Sequence, residues 1–190
     1  MKGESLSLFV SYLVSQRSYS LVAELVRELR TDFTVSPKRD SSFYPKITLY
    51  VAKDVLTSHL PQVQQIDQSI PEHTVISLQV SALKKTESGL LLLTFQESPE
   101  LRTLQDNIAK HVQPYRATPE FPPTYGYKYF AEPLHITVGM NAEDFDEGKL
   151  QEQSGTVSKL HIEFDSYGLF TKNTSWETEG KLQRIRDITL

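Results

Sequence analysis

The sequence contains no cysteine. Disulfides, thiolate metal sites and cysteine nucleophiles are therefore excluded. It has no long apolar run either. The stretch Leu90-Leu91-Leu92-Leu93 is far too short to span a bilayer. The first residues, Met-Lys-Gly-Glu-Ser, carry no signal-peptide pattern, so a cytoplasmic location and no membrane contact are expected. A strong excess of one charge is also missing: 20 Lys+Arg stand against 24 Asp+Glu, for a net charge of -4. That balance argues against a large footprint on duplex DNA. It leaves room for a small nucleotide or an RNA end in a locally basic groove. The acidic residues Glu143, Asp144, Asp146 and Glu147 lack a calcium-loop pattern with its central glycine, so no metal site is expected there, and no cofactor is expected either.

What is present suits one folded unit. A chain of 190 residues, 38% apolar and 23% charged, can bury a sizeable core. Ser5 to Val14 places Leu6, Leu8, Val10, Tyr12 and Val14 on one face, which predicts a strand. Leu21, Val22, Leu25, Val26, Leu29 and Phe33 then recur at helical spacing. Ser36 to Ser42 is polar and reads as a loop, followed by a strand over Lys46 to Ala52. Pro61 opens a short helix with Val63 and Ile66. Thr74 to Ala82 alternates again, and Leu90 to Phe95 follows a turn at Gly89, so the two predict a hairpin. Ser98-Pro99 reads as an N-cap followed by proline at the first helical position, and Leu101, Leu104, Ile108 and Val112 continue that helix.

Tyr115 to Pro133 differs from its surroundings. It is rich in proline and aromatic residues and reads as a long loop of the kind that often carries function. A strand over Leu134 to Met140 is expected next, then a short helix over Glu143 to Glu152. Three strands are expected after it, over Val157 to Phe164, Tyr167 to Thr171 and from Trp176 onward. The predicted architecture is α+β. Residues 1–190 are expected to form a single bilobal domain, with two pseudo-symmetric lobes, each an antiparallel sheet with helices on the outside, facing across a central groove. A monomer is expected.

One strand motif occurs twice. Pro45-Lys46-Ile47-Thr48-Leu49 and Leu134-His135-Ile136-Thr137-Val138 share a pattern, and 89 positions separate Lys46 from His135. In a strand, residues two apart share a face. Each copy therefore offers one nitrogen group and one hydroxyl, with Ile47 and Leu49, or Ile136 and Val138, behind them. Two such pairs across a groove suit phosphate ester chemistry. One proton must leave the attacking oxygen and one must reach the leaving oxygen, and two opposed nitrogen groups can divide that work. Threonine hydroxyls can hydrogen-bond the non-bridging oxygens.

His135-Ile136-Thr137-Val138, set after a helix and a long loop, resembles the H-x-T motif of the 2H phosphoesterase superfamily, which includes the 2′,5′ RNA ligase-like proteins and cyclic nucleotide phosphodiesterases. The order of elements is similar across nearly the whole chain. The resemblance implies a metal-independent phosphodiesterase acting on RNA ends, 2′,3′-cyclic phosphates or 2′,5′-linked oligonucleotides. His135, Thr137 and Thr48 carry over onto the motif positions. Lys46 stands where the family's first motif has histidine. A lysine, with a reference pKa of about 10.4, needs that value lowered by about three units to act as a base near neutral pH, a cost of roughly 4 kcal/mol. As an acid or a fixed cation it needs no such tuning. The alternative is a catalytically degenerate nucleotide- or RNA-binding protein on the same fold. Tyr125, Tyr127 and Tyr129 are candidates to stack a base.

Overall fold

In the computed structural model the described residues are 5–37, 45–70, 75–117, 133–140, 146–173 and 183–189. Strands are β1 (Ser5–Val14), β2 (Lys46–Leu56), β3 (Ile76–Lys85), β4 (Leu91–Phe95), β5 (His135–Gly139), β6 (His161–Asn173) and β7 (Gln183–Thr189). Helices are α1 (Gln16–Asp32), the short α2 (Leu60–Val63), α3 (Pro99–Val112) and α4 (Glu147–Val157). No helix among them is long and apolar enough to cross a membrane.

The three long helices start where the chain provides an oxygen cap. Ser15, Ser98 and Asp146 accept the backbone N–H of Ser18, Leu101 and Lys149 respectively. Ser98 and Pro99 take the cap and first-turn positions expected of them. Two assignments differ from expectation. The last helix runs from Glu147 to Val157, so Val157 ends a helix and does not begin a strand. Its side chain is buried two turns beyond Leu150, which packs on the same core. The two strands expected over Val157 to Phe164 and Tyr167 to Thr171 are a single strand, β6. Asp165 and Ser166, the polar pair between them, are only half-buried and lie within it. Leu21 also leaves the expected α1 stripe and is 49% exposed, while Val22, Val26 and Leu29 are buried.

The strands form one antiparallel path, β2-β1-β6-β3-β4-β5, with β7 added to β6. Its order reads the same from both ends. Each end is a motif strand (β2 or β5) paired with the strand that precedes the helix leading to it (β1 or β4). The pseudo-twofold therefore falls between β6 and β3, which pair over Ile76↔Phe164 to Gln79↔His161. The lobes are continuous through β3, whose second half turns to pair with β4. The two end strands approach each other, with Cα atoms of β2 and β5 within 8 Å.

Each motif strand carries a bulge directly after its threonine. On β2, Ser11 pairs with Thr48 and Val10 with Tyr50, so Leu49 is skipped. On β5, Leu92 pairs with Thr137 and Leu91 with Gly139, so Val138 is skipped. A bulged residue loses its place in the ladder. Helices from opposite halves supply the missing partners. Gln105 on α3 donates from Nε2 to the Leu49 carbonyl at 3.2 Å, and Arg30 on α1 donates from Nε to the Val138 carbonyl at 2.7 Å. The helix of each half thus braces the motif strand of the other.

The chain leaving each helix repeats the exchange. Ser36, after α1, exchanges two backbone hydrogen bonds with Met140, at 3.0 and 2.8 Å. Gly139 allows this approach: a Cβ there would sit 2.8 Å from the Ser36 carbonyl oxygen and 2.7 Å from Val35 Cγ2. Arg116, after α3, bridges to Val55, and its buried guanidinium grips Asp54 with Nε–Oδ1 at 2.7 Å. The core between the helices and the sheet holds the stacked rings of Tyr12 and Tyr167, with centroids 4.5 Å apart. Burial pushes the Tyr12 phenol up to about 12 and the Tyr167 phenol up as well, so both stay neutral at physiological pH.

The Gln105 brace can be tested. Gln105 is 1% exposed, and Gln105→Leu preserves its size while stranding the Leu49 carbonyl. Urea denaturation should show a loss of about 1–3 kcal/mol. An unchanged midpoint would mean that the bulged carbonyl needs no partner.

Candidate active site at the two motif strands

The alternation expected of both motifs is what the structure shows. Ile47 and Leu49 are fully buried, as are Ile136 at 2% and Val138 at 0% exposure. Lys46, Thr48, His135 and Thr137 are all half-buried on the opposite face. The bulges confine that pattern to one turn of the pleat. Without them Tyr50 and Gly139 would share the face of Thr48 and Thr137. With them Tyr50 lies beside Val10 and Gly139 beside Leu91, and both are turned into the core. Each motif thereby exposes only two side chains, and the braced bulge holds them in place.

His135 has a defined tautomer. Its Nδ1 lies 3.0 Å from the Pro133 carbonyl oxygen. A carbonyl only accepts, so Nδ1 carries the proton, and in the neutral ring Nε2 holds the lone pair. The arrangement points the basic nitrogen away from its own backbone. Across the ladder, His135 pairs with Thr94. The Thr94 hydroxyl is engaged elsewhere, donating to the Ala82 carbonyl at 2.9 Å and lying 2.8 Å from Ser81 Oγ. It therefore stiffens the β3–β4 hairpin beneath His135 and leaves the imidazole to the surface.

The first motif has different neighbours. Lys46 pairs with Leu13, and Thr48 with Ser11. Ser11 is fully buried, and among the described residues its hydroxyl has no hydrogen-bond partner. The Lys46 ammonium lies over the ring of Phe170, with Nζ 3.9 Å from the centroid. Nothing in the local pattern around Lys46 reveals Phe170, which lies two strands away on β6. The signal that could have shown it is the pair Gly168 and Phe170, spaced two apart on one face of a strand.

Other residues weighed in the sequence lie elsewhere. His161 begins β6 and is exposed, paired with Gln79. His59 stands edge-on to Tyr115 with centroids 5.6 Å apart, outside both motif strands. Tyr125, Tyr127, Tyr129 and Trp176 lie outside the described residues.

The motif faces place a nitrogen base, a cation and two hydroxyls on strands that approach each other. Such a set can bind an anion and move a proton. No family model matches the sequence, and no curated protein matches it. Solved structures do match its fold over nearly the full length. Escherichia coli LigT in its apo form is 12% identical, with a TM-score of 0.62 and 99% of each chain covered. The protein TT0787 of Thermus thermophilus is 10% identical, with a TM-score of 0.65 and 97% of each chain covered. A structure described as a phosphoesterase is 12% identical, with a TM-score of 0.64, covering 97% of this chain and 98% of the other. The chain therefore shares the α+β fold of E. coli LigT and of these structures.

Proposed function

We propose that the protein is a metal-independent phosphodiesterase acting on RNA ends, as 2′,3′-cyclic phosphates or 2′,5′-linked oligonucleotides. The observation that carries this reading is His135: its Nδ1 is committed to the Pro133 carbonyl, and its side chain leaves the same strand face as that of Thr137. The strand opposite offers Lys46 and Thr48 in the same spacing. E. coli LigT, which shares the fold, has been crystallised with phosphate and with 3′-AMP, and a ligand of that kind fits the groups present here.

In this reading the phosphate lies between the two motif faces. Thr48 and Thr137 donate to its non-bridging oxygens. His135 Nε2 takes the proton of an attacking water as the water oxygen bonds to phosphorus. The P–O bond to the leaving ribose oxygen breaks on the far side, and the Lys46 ammonium gives that oxygen its proton or stabilises its charge. Tyr125, Tyr127 and Tyr129 are proposed to stack the base.

A second reading is favoured by the ring under Lys46, which suits a fixed cation and thus a groove that binds a phosphorylated ligand without turnover. Two substitutions separate the readings. With 2′,3′-cyclic AMP as substrate and EDTA present, His135→Ala should lower kcat by about 10²–10⁴-fold while circular dichroism is unchanged. Unchanged turnover would contradict the catalytic role of His135. Lys46→His should lower that activity if lysine is a working variant. A strong rise would show a weakened enzyme, and activity appearing where the natural protein has none would show a retired site that binds only. In long-range ¹⁵N spectra, neutral His135 should carry its proton on Nδ1, and a dominant Nε2–H form would contradict the orientation on which the mechanism rests.

A further inference from the structure

Phe170 is 4% exposed and lies on β6, two strands from Lys46, yet its ring lies under the Lys46 ammonium at 3.9 Å. The register explains how it gets there. Gly168 pairs with Ser11, and Ser11 with Thr48, so the three form a row across β6, β1 and β2. Phe170 lies one step further along the same face of β6 and pairs with Phe9. A Cβ on Gly168 would fall 2.5 Å from Phe170 Cε2 and 2.9 Å from its Cζ. The ring therefore fills the room that any side chain at position 168 would take, lying along the strand where an ordinary strand residue would make it stand upright. The missing side chain at Gly168 is what lets the ring come under Lys46.

The contact has a definite electrostatic sense. The face of an aromatic ring carries negative quadrupole charge and attracts an ammonium within about 6 Å. A neutral amine gains little there. The ring also covers one side of Nζ with apolar surface, where the pull on a cation is stronger than in water.

We propose that Phe170, seated by Gly168, is a positioning residue that holds Lys46 as a fixed cation for the phosphate group of a ligand at the motif face. The inference rests on the functional reading above and, of the two roles given there to Lys46, assigns it charge stabilisation in place of proton donation.

Calorimetric titration with inorganic phosphate tests it on the wild type, Phe170→Leu, Lys46→Ala and the double variant. Phe170→Leu should weaken phosphate binding on the order of tenfold. Phe170→Tyr, which keeps a ring face, should bind as the wild type does. In the Lys46→Ala background, Phe170→Leu should have no further effect, because the two act as one unit. The Lys46 ε-methylene protons should show an upfield ring-current shift in the wild type that Phe170→Leu abolishes. If Phe170→Leu does not fold, Phe170→Met, nearer in volume and without a π face, takes its place. Wild-type affinity in Phe170→Leu would overturn the inference, as would an equal loss in both backgrounds. A wild type that binds no phosphate would overturn the functional reading and this inference together. A loss in Lys46→Ala without a loss in Phe170→Leu would overturn this inference alone.

Discussion

The carbonyls of Leu49 and Val138 are pushed out of their ladders by bulges, and each needs a partner from outside its own sheet pair. Gln105 meets one need and Arg30 the other. Each donor sits on a helix that belongs to the opposite half of the chain. An unsatisfied buried carbonyl costs about 1–3 kcal/mol, so neither half can leave without stranding a group in the other. The pairings Ser36↔Met140 and Val55↔Arg116 repeat the exchange in backbone form. The two lobes are therefore braced crosswise at the residues that follow each motif threonine. A reacting group needs this kind of support, because misplacement by a fraction of an ångström is costly and loops seldom prevent it.

The symmetry of the frame contrasts with the asymmetry of the chemistry it holds. At one end stands an imidazole whose tautomer is set by Pro133. At the other stands an ammonium over an aromatic face. The neighbours differ to match. Thr94 is fully engaged beneath His135, while Ser11 lies buried and unpartnered, among the described residues, beside Thr48. A symmetric pair of bases would divide proton transfer evenly. In the proposed reading this pair would be one base and one cation.

Much of this was legible in the chain. Alternation over Lys46–Thr48 and His135–Thr137 gave the shared faces, because side-chain direction in a strand is a local property. The Ser98-Pro99 cap was readable for the same reason. The bulges were not, since skipping Leu49 or Val138 depends on register against β1 and β4, and register is set by partners distant in sequence. Phe170 was hidden likewise: its reach to Lys46 depends on Gly168 lying in line with Ser11 and Thr48 across three strands. Asp165 and Ser166 divided β6 on paper because a polar pair resembles a turn. In the fold they lie where β6 passes from β3 to β7 along one edge while β1 continues along the other. Val157 resembled a strand residue because β-branched side chains favour strands, but burial against the core at helical spacing from Leu150 decided otherwise.

In the proposed phosphodiesterase two unlike motif faces converge on a single phosphate. A crystal structure of the protein with 3′-AMP tests it most directly. The phosphate should lie between the motif strands, with the Thr48 and Thr137 hydroxyls and His135 Nε2 within hydrogen-bonding distance and the Lys46 ammonium beside it. A phosphate bound away from these four side chains, or one touching only a single motif, would contradict it.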